Sequence, residues 1–146
     1  MKSMQTWPPA YGVATMPYII GVVLAVSVCL LGTMAGFDRD RAFYPTVTIV
    51  VASYYGLFAV MGGSARALGA ESIVAAGFLV ISVVGFKRNL WLLVAALAGH
   101  GVFDFVHAGL IADPGVPAWW PSFCLAFDVV AAAYLAVLLR TAKLRA

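Results

Sequence analysis

Charge is scarce in this chain. Nine Lys and Arg and six Asp and Glu are all that 146 residues carry, 10% of the total, against about 25% in soluble domains. So few charges cannot coat a water-facing surface, and an ordinary soluble domain is excluded. Basic runs are missing too. The net charge of +3 comes from cations standing singly or in pairs at the ends of apolar segments, with no stripe that could follow a nucleic-acid backbone. The two cysteines, Cys29 and Cys124, both fall inside apolar stretches, where a thiol acts as a small apolar residue, so no disulfide framework is implied. The chain has no internal repeat, no phosphate-binding glycine loop and no Gly-x-Ser-x-Gly nucleophile turn.

What is abundant is hydrocarbon: 64% of the residues are hydrophobic and the mean hydropathy is +1.00. A run of about 20 apolar residues crosses a bilayer core of ~30 Å at ~1.5 Å per residue. Five such runs, 17–36, 42–63, 68–86, 90–112 and 120–139, take up nearly the whole chain. They predict an all-α fold, a polytopic integral membrane bundle of five transmembrane helices forming a single transmembrane domain over 1–146. Lys and Arg alternate between loops: seven (Arg39, Arg41, Lys87, Arg88, Arg140, Lys143, Arg145) lie in one set and two (Lys2, Arg66) in the other. The positive-inside rule then puts the C-terminus in the cytoplasm and the N-terminus outside.

The flanking segments read mainly as anchors and connections. Lys2 followed by an apolar run resembles a signal peptide, but the run is too long for one and is read as an uncleaved first helix. Trp7, Pro8, Pro9 and Tyr11 suit the headgroup level, and Gly32 and Gly36 form a small-x-x-x-small pair that permits close helix approach. Because five short helices bury few side chains, a homo-oligomer is an expected assembly, with that pair as one contact. The turn Asp38-Arg39-Asp40-Arg41 reads as a solvated connection with local ion pairs, and Gly62-Gly63-Ser64 as a tight one. Thr46, Thr48, Ser53, Tyr54 and Tyr55 in the second run each mean little alone. The loop carrying Asp113, Pro114, Pro117, Trp119, Trp120 and Pro121 has no Lys or Arg and reads as an aromatic anchor at the outer interface or a stiff lid there. The basic tail suits anionic membrane lipids as partners, and no nucleic-acid partner is expected.

The chemistry concentrates between residues 99 and 128, which hold both histidines and three of the six acids. His100, Asp104 and His107 are spaced i, i+4, i+7, so a helix projects all three from one face. An ionisable group at the bilayer centre costs about 3 kcal/mol on insertion scales and normally faces the bundle interior and a partner. Asp128 lies twelve residues before Arg140 and His100 twelve beyond Arg88, so the two should be level on antiparallel helices. Glu71 and Asp104, each sixteen residues from Lys87 and Arg88 respectively, should be level as well. On the third helix Glu71, Ala75, Phe78 and Ser82 share a face. Cys124 stands one turn before Asp128 and reads as a small residue that lets helices pack.

His100, Asp104, His107 and Asp128 are therefore candidate ligands for a divalent metal, zinc, manganese or iron, since imidazole and carboxylate suit all three. Glu71, Asp104 and Asp128 are the candidate catalytic acid or base groups. A metal-free reading keeps the same residues as acid/base or proton-transfer groups, and a structural reading makes them an inter-helix hydrogen-bond network. On function, the leading expectation is a small membrane enzyme, a hydrolase or an acid-catalysed lyase or cyclase, acting on a lipid or isoprenoid-like substrate in the outer half of the bilayer. A transporter or proton-conducting subunit, or a structural subunit of a membrane complex, stands as the alternative. The apolar stretch 90–99 disfavours a continuous polar path.

The pattern Gly99-His100-x-x-Phe103-Asp104-x-Val106-His107, then Pro114-x-Val116-Pro117, then Ser122-x-Cys124-x-x-x-Asp128, resembles one found in small bacterial integral-membrane proteins of unknown function. The resemblance covers the last third of the chain and implies a bundle in a bacterial cytoplasmic membrane, without supplying an activity. In its chemistry alone the set is similar to the alkaline ceramidase and adiponectin-receptor superfamily, seven-span hydrolases that hold zinc with His and Asp. Their H-x-x-x-H pair is lacking here.

Overall fold

The computed structural model describes the backbone of residues 10–144 and the side chains of residues 15–144. Lys2, Trp7, Pro8, Pro9, Arg145 and the side chain of Tyr11 lie outside the described residues. Five helices follow one another, α1 (Ala10–Ala35), α2 (Phe43–Met61), α3 (Ala65–Lys87), α4 (Trp91–Leu110) and α5 (Trp120–Arg140). All five are long and apolar enough to cross a membrane. The chain is a multi-pass membrane protein of all-α class, as its composition predicts, and α1 starts ahead of the expected residue 17.

Each connection has a local cause. Gly36 adopts φ +78°, and the N–H groups of Gly36 and Phe37 return to the carbonyls of Thr33 and Gly32, a left-handed cap that ends α1. The same geometry recurs at Gly63, φ +66°, with Ser64 N–H donating to Ala59 O at 3.0 Å. Ser64 then caps α3 by accepting from Ala67 N–H, so α2 and α3 form a hairpin with three residues between them. Asn89 Oδ1 accepts from Trp91 N–H and starts α4. The charged turn is less solvated than its composition suggests, because Asp38 is buried and accepts from the Thr33 hydroxyl at 2.8 Å.

α5 packs between α1 and α4, α3 pairs with α2, and α4 touches both α2 and α3. The small residue that lets α1 approach α5 is Gly21: any side chain there would run into the Phe123 carbonyl. Gly32 faces the Phe43 ring of its own chain, and Gly36 lies beyond the end of α1. In the α4–α5 loop, Gly115 sits against the backbone at the end of α2. Trp119 is exposed as an interface anchor should be, whereas Trp120 is buried between the rings of Tyr54 and Phe58, 4.9 and 4.8 Å away.

Candidate metal centre

α4 carries its three ionisable side chains inward, as the i, i+4, i+7 spacing requires. His100, Asp104 and His107, with Asp128 of α5 and Glu71 of α3, are all between 0 and 2% exposed. Gly101 lies on the face of α4 toward α5, where a methyl group would make ordinary contact with Leu125, Asp128 and Val129. His100 Nδ1–H donates to Asp128 Oδ2 at 2.6 Å and lies 3.3 Å from Asp104 Oδ2. The expected level of His100 and Asp128 is thus met.

The expected match of Glu71 with Asp104 is not. Glu71 Oε1 accepts from His107 Nε2 at 2.6 Å. His107 lies one turn beyond Asp104 on the same face of α4, and it is this turn that meets Glu71 of α3. Asp104 Oδ1 instead accepts from the Tyr55 hydroxyl at 2.6 Å, and the Tyr55 ring stacks on His107 with centroids 4.0 Å apart. Tyr55 was not singled out by the sequence. Phe78, on the predicted face of α3, packs edge-on against His100.

One group among the described residues brings three or more candidate ligands together: His100, Asp104, Cys124 and Asp128, with one ligand atom from each all within 4.8 Å of one another. Cys124 therefore joins the set, its thiol donating to Asp128 Oδ2 at 3.7 Å. His107 is outside it, held by Glu71. A tetrahedral zinc with bonds of about 2.0–2.3 Å spaces its ligand atoms roughly 3.3–3.8 Å apart. The His100–Asp104 and Cys124–Asp128 separations, 3.3 and 3.7 Å, already fit. The 2.6 Å contact of His100 with Asp128 would have to open by about 1 Å on that scale.

No protein-family model, curated protein or solved structure matches this chain.

Charge balance separates the two histidine clusters. Glu71 with His107 is one carboxylate facing one imidazole, a pair that can neutralise itself. Asp104 and Asp128 share a single imidazole, so with both ionised and His100 protonated one negative charge is left over in a membrane interior, where it is costly. A bound proton or a divalent cation with neutral imidazole would remove it. His100 Nε2 and Asp128 Oδ1 are buried without a hydrogen-bond partner among the described residues.

On one side of the group runs an apolar groove of about 390 Å³ between α1, α2 and α5, lined by Leu24, Val28, Val51, Tyr54, Phe127 and Cys124 among others. Toward the opposite end of the bundle from the α4–α5 loop, Leu93, Leu97, Leu135 and Leu138 are packed tight. Thr48, buried at that end of α2, donates its hydroxyl to the Tyr44 carbonyl. Among the described residues no hydrogen bond joins His100 or Asp128 to Thr48 or to Ser82, which is also buried at that end.

Proposed function

We propose that this protein is a small zinc-dependent membrane hydrolase acting on an ester or amide of a lipid-like substrate. The observation that carries the reading is the position of Cys124, which walls the apolar groove and touches Asp128 within the ligand group. An apolar chain lying in the groove would bring its polar linkage to the one place where hydrocarbon and the buried ligands meet. A thiolate or thiol beside imidazole and two carboxylates suits zinc better than manganese. When bound, zinc would polarise the substrate carbonyl and activate water through a fifth coordination position beside these four residues, or through one that a carboxylate gives up. The chain's own residues hold the geometry: His100, Asp104, Cys124 and Asp128 as ligands, Tyr55 fixing Asp104, and the leucine layer excluding water from the far end. The cation count of the loops supports a cytoplasmic C-terminus, and the resemblance of the last third of the chain to small bacterial membrane proteins supports a bacterial inner membrane.

The 2.6 Å hydrogen bond between His100 and Asp128 favours a second reading, a metal-free acid in which a proton takes the cation's place. Metal analysis separates the two. Protein purified without chelators and given zinc is expected to hold a near-stoichiometric amount by mass spectrometry. His100→Ala, Asp104→Ala and Cys124→Ala should lose it, and His107→Ala should keep it. Wild-type protein that stays free of zinc, manganese and iron after reloading would sink the metal reading and leave the acid.

A further inference from the structure

A second cavity, about 400 Å³, opens where α4 runs into the α4–α5 loop, with His107, Ile111, Asp113, Val116, Pro117 and Pro121 in its walls. Two carboxylates belong to this region. Asp113 Oδ1 accepts from Gly115 N–H at 2.9 Å, which leaves Oδ2 buried without a partner among the described residues. Glu71 is 1% exposed, its Oε1 is bonded to His107, and its Oε2 also lacks a partner there. Among the described residues no Lys or Arg lines the cavity; none occurs between residues 89 and 139, and Arg66, at the same end of the bundle, is exposed. Asp113 is thus a carboxylate without a counter-cation in the wall of a low-dielectric cavity, and such a charge attracts a cation.

His107 joins this cavity to the centre. It is in the cavity wall, it lies one helical turn from Asp104 on the same face of α4, and Tyr55 bridges the two by stacking on His107 and bonding Asp104. The far side of the centre is closed by Leu93, Leu97 and Leu135, all 0% exposed. We infer that a divalent cation reaches the His100–Asp104–Cys124–Asp128 centre through this cavity, met first by Asp113 and passed inward past the His107–Glu71 pair. The inference rests on the metal reading above. Glu71, His107 and Asp113 do not form a compact ligand group of their own, which suits a station a cation leaves rather than a seat it keeps.

The test is the rate at which detergent-solubilised protein takes up cobalt(II), followed by the sulfur-to-metal absorption that Cys124 would give. Asp113→Asn keeps an oxygen for Gly115 N–H and removes only the charge. It should slow uptake by about tenfold at low ionic strength, with the difference shrinking as salt screens the cavity, and leave the final occupancy unchanged. Glu71→Gln should slow uptake as well. Asp40→Asn, exposed at the opposite end, should load like wild type. If Asp113→Asn loads at the wild-type rate, or Asp40→Asn is slowed equally, the route is wrong while the metal centre stands. If wild type takes up no cobalt, both fall.

Discussion

Removing one oxygen atom from Tyr55 should be felt at the metal centre. The phenol donates to Asp104 Oδ1 and so holds Oδ2 toward His100, and hydrogen bonds that orient a ligating carboxylate are worth about 10–100-fold in metal affinity. Tyr55→Phe is expected to weaken zinc binding by that order, read by competition with a chromophoric chelator, while keeping the ring stacked on His107. Unchanged affinity in the folded variant would rule out the positioning role. Of the site, the sequence revealed the five ionisable residues, because charge inside an apolar helix stands out and all five turn inward. It did not reveal Tyr55 or the part of Cys124, since neither side chain is unusual in a membrane helix. A signal existed for both: Tyr44, Thr48, Val51 and Tyr55 recur at i, i+4, i+7, i+11, and Cys124 precedes Asp128 by one turn.

At the scale of elements, backbone spacing decides how the ligands meet. α4 and α5 must close on each other to pair His100 with Asp128, and α1 leans on α5 at Gly21. Gly21→Val would force those two helices apart against the Phe123 carbonyl. Overpacking of this kind typically costs about 1–3 kcal/mol, so the variant should unfold at lower temperature in detergent. Gly77→Ala, where a methyl group meets nothing within 4 Å, serves as the neutral comparison. Equal unfolding temperatures for Gly21→Val and wild type would mean that α1 does not pack as described. Residue counting levels Glu71 with Asp104, whereas the helices bring it to His107, three residues and nearly one turn farther along the same face of α4.

For the whole molecule, the distribution of cations predicts the sidedness on which the metal route depends. A reporter that matures only in the cytoplasm, fused after residue 146, should be active, and one that matures only outside should be silent. The reverse pattern would turn the Asp113 cavity toward the cytoplasm. Assembly is a separate matter, because Gly32, expected at an oligomer contact, is taken up by Phe43 within the chain. Composition and periodicity by themselves determined the class, the five spans and the inward face of α4, because hydrocarbon thickness and helical pitch leave few alternatives for an apolar chain. Which carboxylate meets which imidazole was decided only by tertiary structure. That choice depends on how the helices are set along one another, on glycines that let particular backbones approach, and on a tyrosine from a helix far away in sequence, none of which is fixed by the spacing within one segment.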